Sequence, residues 1–194
     1  MKRKLYLILG CFTVLSLIVA SCSATEIRDE GGSSTIEEDA ITTIVLSSTA
    51  FKEGDKIPGK HTCDGQDISP ALMWNEPPEQ TESLALIVDD PDAPSGVFTH
   101  WVLFNIPKNV YQLGEGVSSQ EQLDNGALQG KNGFGRIGYG GPCPPQGSTH
   151  RYQFTIYALD QHLNLKAGAS KKQVVDAMKG HILAQGQLTG TYQR

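Results

Sequence analysis

The motifs of common hydrolases and metal proteins are missing from this chain. There is no Gly-x-Ser-x-Gly nucleophile elbow, and Ser69, Ser95 and Ser148 stand in turn-like contexts where serine ordinarily shapes the backbone. No two ligands show Cys-x-x-Cys or His-x-x-x-His spacing, which argues against a metal site, and His61-x-Cys63 reads as a loop. No internal repeat is present. Positive charge is also scarce. Residues 1–21 hold three basic groups and no acid, so of 16 Lys+Arg and 21 Asp+Glu the rest of the chain keeps 13 against 21, a formal charge of −8. A field of that sign argues against general binding of nucleic acid or of an anionic membrane surface.

What is present begins with an address. Met1-Lys2-Arg3-Lys4 is a basic start, Leu5 to Ala20 is almost wholly apolar, and Val19-Ala20-Ser21 places small residues ahead of Cys22. A basic segment, a short apolar core and a small-residue cut site describe a secretory signal. The run is somewhat short for a spanning helix of ~20 residues, and no charge flanks its far side. With Cys22 the pattern resembles a bacterial lipobox, which implies cleavage after residue 21 and acylation of the Cys22 thiol. The expected location is the cell envelope, anchored to a membrane by lipid, with inner or outer membrane left open.

Residues 22–40 then read as a tether. Ser23 to Ala40 holds six acids, the stretch Gly31-Gly32-Ser33-Ser34 and no aromatic residue, so it cannot bury enough surface to fold. As a flexible chain it would reach roughly 25 Å.

Residues 41–194 suit one domain. Ile41–Phe51, Ser83–Asp89, His100–Ile106, Arg151–Leu159 and Gln187–Gln193 read as strands, rich in β-branched and aromatic residues and bounded by Gly, Pro, Asn or Asp. The unbroken apolar run Ser83 to Val88 predicts a central strand covered on both faces. Gln153, Thr155 and Tyr157 alternate with Phe154, Ile156 and Ala158, which predicts a half-covered strand. One helix is expected from Lys171 to about Gln185, with Ser170 and Gln173 as a capping box and Gly186 as its stop. Asp124 to Gly147 has Gly or Pro every few residues, and a long irregular segment in a compact domain is usually functional. Within it Gly133-Phe134-Gly135-Arg136-Ile137-Gly138 fits the dinucleotide fingerprint G-x-G-x-x-G. That motif needs a strand before it and a helix after it, and Gly140-Gly141-Pro142 forbids the helix.

Two polar clusters about fifty residues apart carry the chemistry. The first is Asp90-Pro91-Asp92-Ala93-Pro94 with His100-Trp101; the second is Gly141-Pro142-Cys143-Pro144-Pro145 with His150-Arg151-Tyr152. Each abuts a predicted strand, so rigid scaffold holds acids, imidazoles and a phenol together, as in a preformed small-molecule pocket. Taken singly, these residues also fit a plain strand-capping turn and two buried structural histidines.

Together the motifs resemble the phosphatidylethanolamine-binding protein family, and more closely its bacterial, Raf-kinase-inhibitor-like branch. Thr62-Cys63-Asp64-Gly65, Ser69-Pro70 and Trp74 suit that branch, and the similarity spans essentially residues 41–194. The resemblance implies a mainly β (α+β) fold, with a large antiparallel-rich sheet packed on a smaller one and few peripheral helices. It also implies a small pocket for phosphate, phosphorylated head groups or similar anions. Carried over by position, Asp90, His100, Pro144, His150 and Tyr152 form that pocket, Gly141 and Cys143 line it through their backbone, and Asp92, Ala93 and Pro94 brace its loop. In the family the bond corresponding to Ala93–Pro94 is cis. No cofactor and no metal are expected.

Alternatives accompany that reading. His100, His150 and Asp90 form an acid/base set that a hydrolase would use, although a nucleophile is missing. A regulatory or inhibitory protein-interaction module of the envelope is the other, and nothing in the sequence names its partner. Cys63 and Cys143 are the even pair left in the domain, which in an oxidising compartment suggests a disulfide. Cytoplasmic relatives carry similar cysteines, which slightly favours a packing role in the pocket wall, so a bridge and a packing role both stay open.

Overall fold

The structure is a computed structural model that describes residues 42–194. The signal segment 1–21, the lipidation site Cys22 and the tether to residue 40 lie outside the described residues. In chain order the strands are β1 (Thr42–Thr43), β2 (Leu46–Ser48), β3 (Leu72–Trp74), β4 (Ser83–Asp90), β5 (Phe98–Pro107), β6 (Gln112–Leu113), β7 (Leu128–Gln129), β8 (Thr149–Leu159) and β9 (Ile182–Gln193). The helix α1 (Lys171–Met178) precedes β9, and a single 3-10 turn spans Gly59–His61. A six-stranded sheet runs β1-β9-β8-β4-β5-β7, and a three-stranded sheet runs β2-β3-β6. Only the β1–β9 ladder is parallel among these pairs. The expected mainly β architecture is therefore observed. No helix among the described residues is long and apolar enough to cross a membrane.

The apolar run in β4 divides between two cores because successive side chains point to opposite faces. Leu84, Leu86 and Val88 pack with Leu72 and Trp74 of the small sheet. Ala85 and Ile87 pack on the other face with Val174 and Met178 of α1. β8 alternates as its sequence predicts, with Tyr152, Phe154 and Ile156 fully buried and Gln153, Thr155 and Tyr157 half-exposed. In β5 the register with β4 slips by one residue between Leu103 and Ile106. Asn105 takes up the extra residue at φ 55°, a region asparagine tolerates. Its side-chain amide donates to the Leu163 carbonyl at 2.9 Å and accepts the Leu163 amide at 2.7 Å.

Two element boundaries differ from expectation. Ile41–Phe51 is not one strand: the chain leaves the large sheet after β1 and joins the small one at β2. The Ile44 amide donates to the Gln185 carbonyl at 2.8 Å, whereas the next amide, of Val45, donates to Asn75 Oδ1 at 2.6 Å. The ladder changes hands between those two residues. α1 starts with the predicted capping box at Ser170 and Gln173 but ends at Met178, not near Gln185. Gly180 at φ 79° turns the chain, and Ile182 and Ala184 pair with Leu159 and Ala158 of β8. The long β8 ladder outcompetes the helical spacing of Ile182 and Leu183. Gly186, read as a helix stop, lies inside β9 opposite Ile156, where an added Cβ would collide with the Ile44 carbonyl oxygen.

Candidate ligand-binding site

Antiparallel pairing brings the end of β4, the starts of β5 and β8 and the end of β9 to one edge of the large sheet. Asp90 lies opposite Phe98, and His150 lies opposite Tyr192. Loops 91–97 and 133–147 stand over this edge and enclose a cavity of about 330 Å3. Asp90, His100 and His150 contribute its polar lining, with Ala93 and Pro94 on one loop and Cys143, Pro144 and Pro145 on the other. Phe98, Phe134 and Arg194 complete the lining.

The polar groups are held from behind. His150 Nδ1 donates to Asp90 Oδ2 at 2.7 Å, and Asp90 Oδ1 accepts the Asp92 amide at 2.8 Å. His100 Nδ1 donates to the Gly140 carbonyl at 2.6 Å. A carboxylate and a carbonyl can only accept, so both rings carry a proton on Nδ1. Each neutral ring therefore presents an unprotonated Nε2, and a hydrogen bond from Nε2 to an anion requires a second proton on the ring. Asp92 braces the loop: its carboxylate accepts Arg151 Nη2 at 2.6 Å, and Arg151 Nε and the Arg151 amide at 2.9 Å each. The Arg151 guanidinium and amide hold the Asp92 carboxyl down at about 2. Burial lowers the pKa of His100, outweighing the opposing Gly140 carbonyl and the Asp90 charge.

Sequence position and spatial position diverge for two residues. Gly141 and Tyr152 stand behind the cavity wall, outside its lining. The Gly141 amide donates to Asp67 Oδ1 at 2.6 Å, and a Cβ there would meet the His61 carbonyl oxygen, so the turn tolerates only glycine. The Tyr152 ring meets His100 edge-on at 5.1 Å, and its buried hydroxyl has no hydrogen-bond partner among the described residues. Burial, aided by the Asp90 charge, pushes this phenol well above its ordinary pKa.

One open alternative is decided and one expectation is corrected. Cys63 and Cys143 form a disulfide, with Cα atoms 5.4 Å apart, within bonding range. The 3-10 turn carries Cys63 to the pocket loop, and the Cys63 amide donates to the Pro142 carbonyl at 3.1 Å, so the two cysteines meet. The Ala93–Pro94 bond is trans, as are all described peptide bonds. Pro94 occupies the second position of a turn closed by the Gly96 amide on the Ala93 carbonyl at 3.0 Å, a place that a trans proline fits.

The model of the phosphatidylethanolamine-binding protein family matches residues 47–193. The chain belongs to that family. Among relatives from this family, the UPF0098 protein of Methanothermobacter thermautotrophicus is 52% identical over 149 residues, covering 77% of this chain and 98% of the relative. The UPF0098 protein of Chlamydia muridarum is 44% identical over 154 residues, with 77% and 98% covered. Among solved structures, a phosphatidylethanolamine-binding protein homologue from Chlamydia trachomatis superposes with a TM-score of 0.72 at 42% identity, covering 79% of this chain and 99% of the other. E. coli YbcL, described as a member of the mammalian family, gives 0.74 at 33% identity with the same coverage.

The lining also holds Phe98, Phe134 and Arg194, which the two polar clusters of the sequence do not include. Phe98 was within reach, since it lies two residues before His100 and so shares its face of β5. Phe134 sat inside the rejected glycine motif, which proves to be an irregular loop whose Gly133 amide donates to the Thr99 carbonyl at 2.7 Å. Arg194 carried no local signal. Among the described residues no three His, Cys, Asp or Glu side chains form a group able to hold a metal ion.

Proposed function

We propose that this protein is a lipid-anchored envelope member of the bacterial, Raf-kinase-inhibitor-like branch that binds a small anionic or phosphorylated ligand without transforming it. The observation that carries the reading is the pair His100 and His150, each tied off at Nδ1 and each lining one small cavity beside Arg194. Proline-rich loops, a disulfide and the Asp92–Arg151 pair hold the cavity in shape, so little ordering entropy opposes a ligand. The lining supplies no serine or threonine hydroxyl, and its one sulfur is in the Cys63–Cys143 bridge, which favours binding over nucleophilic catalysis. That bridge also supports export, since disulfides persist in oxidising compartments.

Histidine side-chain NMR of the full chain, titrated with O-phosphoethanolamine and with inorganic phosphate, tests this reading. Saturable shifts confined to His100 and His150, with His61, His162 and His181 unmoved, are expected. Absence of any response would remove the anion pocket. A second reading, a protein-interaction surface at the same mouth, is favoured by the exposure of Val97 (59%) and Phe134 (42%). It predicts a partner that protects those two residues and leaves both histidines unshifted by phosphate.

A further inference from the structure

The geometry points to a second ligand site, apart from the anion pocket, that takes a free aliphatic α-amino acid as its zwitterion. Arg136 receives the carboxylate and Asp67 the ammonium. The two residues line a cavity of about 510 Å3 that shares no lining residue with the anion pocket. The inference stands on these residues and does not rest on the anion-binding reading.

Segments 66–69, 116–119 and 136–139 supply the walls. The Gly116 amide donates to the Ser69 carbonyl at 2.9 Å and the Val117 amide to Ser69 Oγ at 3.0 Å, which ties the second wall to the first. The Tyr139 hydroxyl donates to the His61 carbonyl at 2.8 Å, and the Gly141 amide to Asp67 Oδ1 at 2.6 Å, which ties in the third. The fold itself holds the cavity in shape, so little ordering entropy opposes a ligand.

The two charges in the cavity are only loosely satisfied. Asp67 Oδ2 and Arg136 Nη2 are 3.8 Å apart, too far for a hydrogen bond. Oδ1 is spent on Gly141, which leaves Oδ2 as an acceptor without a hydrogen-bond partner among the described residues. The Arg136 guanidinium lies over the Phe134 ring, 5.1 Å from its centroid, and beside the bare backbone of Gly140, where an added Cβ would sit 3.4 Å from Nη2. The head group is thus oriented, yet it makes no side-chain hydrogen bond among the described residues. With side chains 60% and 34% exposed, Arg136 and Asp67 are both open to a ligand.

The ligand class follows from charge and spacing. A lone anion would gain Arg136 and meet the Asp67 charge, and a lone cation would gain Asp67 and meet Arg136. A zwitterion gains both. Counter-charges this close suit an ammonium and a carboxylate borne on one carbon, not charges at the two ends of a long chain. Among the described residues no other charged side chain lines the cavity, so it favours no net charge. Gln66 and Ser119 offer an amide and a hydroxyl to the remaining ligand atoms, and Ile68, Val117 and Ile137 form an apolar wall for an aliphatic side chain.

Isothermal titration of the full chain with L-leucine at about pH 7, where both ligand groups are charged, tests the site. Isocaproate, isopentylamine and ε-aminocaproate are the comparisons: the first lacks the amine, the second lacks the carboxylate and the third holds its charges far apart. L-leucine is expected to bind saturably and at least roughly tenfold more tightly than any of them. Asp67→Asn and Arg136→Ala are each expected to weaken L-leucine roughly tenfold. Asparagine tolerates φ 56° at position 67 and keeps an oxygen for the Gly141 amide, so that variant removes the charge alone. Arg136→Ala alters an exposed side chain and should unfold at the parent's midpoint, which keeps the test decisive if Asp67→Asn does not fold. In side-chain NMR the Arg136 Nε resonance should move with L-leucine while His100 and His150 stay in place. Histidine shifts without an Arg136 shift would put the leucine carboxylate in the anion pocket and overturn the inference. So would equal affinity for L-leucine and any of the three comparisons, unaltered binding by Arg136→Ala, or no saturable binding.

Discussion

Asp90 and His150, sixty residues apart in the chain, are joined by a 2.7 Å hydrogen bond from the ring Nδ1 to the carboxylate. The other Asp90 oxygen accepts the Asp92 amide at 2.8 Å. Each oxygen is engaged once, so Asp90 acts as a post that orients the imidazole.

Asp90→Asn therefore tests the orienting role. Inorganic phosphate and O-phosphoethanolamine are expected to lose affinity equally, by roughly tenfold, because the charge-assisted hydrogen bond that orients the His150 ring is lost. Calorimetric titration of both ligands checks this. A loss confined to O-phosphoethanolamine would assign the carboxylate to the ammonium instead.

The Cys63–Cys143 bridge spans 80 residues of sequence, so its removal enlarges the unfolded ensemble substantially. Cys63→Ser with Cys143→Ser is expected to lower stability by about 4 kcal/mol on the chain-entropy model. Chemical unfolding of the variant against the parent measures it. Two free thiols in freshly isolated, non-reduced protein would show that the bridge is absent in solution.

The Asp92–Arg151 pair has a defined pH window. The folded carboxyl lies at about 2 against an ordinary value of 3.8. Because the folded value is the lower one, the pair stabilises the fold above the ordinary value and the contribution is lost as pH falls toward about 2. Both side chains are exposed to solvent, so screening keeps the contribution small. Asp92→Asn should be less stable than the parent near neutral pH, with the difference vanishing as pH falls through about 2, as read by urea unfolding at each pH.

Gly186→Ala is expected to destabilise the fold by about 1–3 kcal/mol, since the new methyl would overlap the Ile44 carbonyl where the chain passes over β9. Thermal unfolding would show the lower midpoint. An unchanged midpoint would mean that the segment at Ile44 lifts away without cost. Gly54→Ala, at a position with open space but φ 78°, is a control for backbone strain alone.

Much of the fold was legible because it depends on near neighbours. The apolar run of β4, the alternation of β8 and the Ser170–Gln173 box are local patterns, and each produced the element it signalled. The pocket residues Asp90, His100 and His150 were legible as types beside strand ends, since acids and imidazoles held by proline-bounded loops have few structural uses in common. The handover between Ile44 and Val45 was not legible. It depends on Gln185 and Asn75, one far along the chain and neither signalled locally. The end of α1 is illegible for the same reason, because Ile182 and Leu183 satisfy a helix and a strand equally until β8 supplies partners.

By itself the sequence determined the strand-rich class, the positions of the central strands, the cap of the helix and the chemical types gathered at the site. Only the tertiary structure decided that Cys63 bonds Cys143, that Pro94 is trans, that Gly141 and Tyr152 stand behind the wall, and that Arg194 and Phe134 line the cavity. The division is physical. Periodicity and capping arise from interactions within a few residues, whereas the pairing of distant segments, and with it which nitrogen of each histidine stays free, is settled by contacts made only when the sheets close.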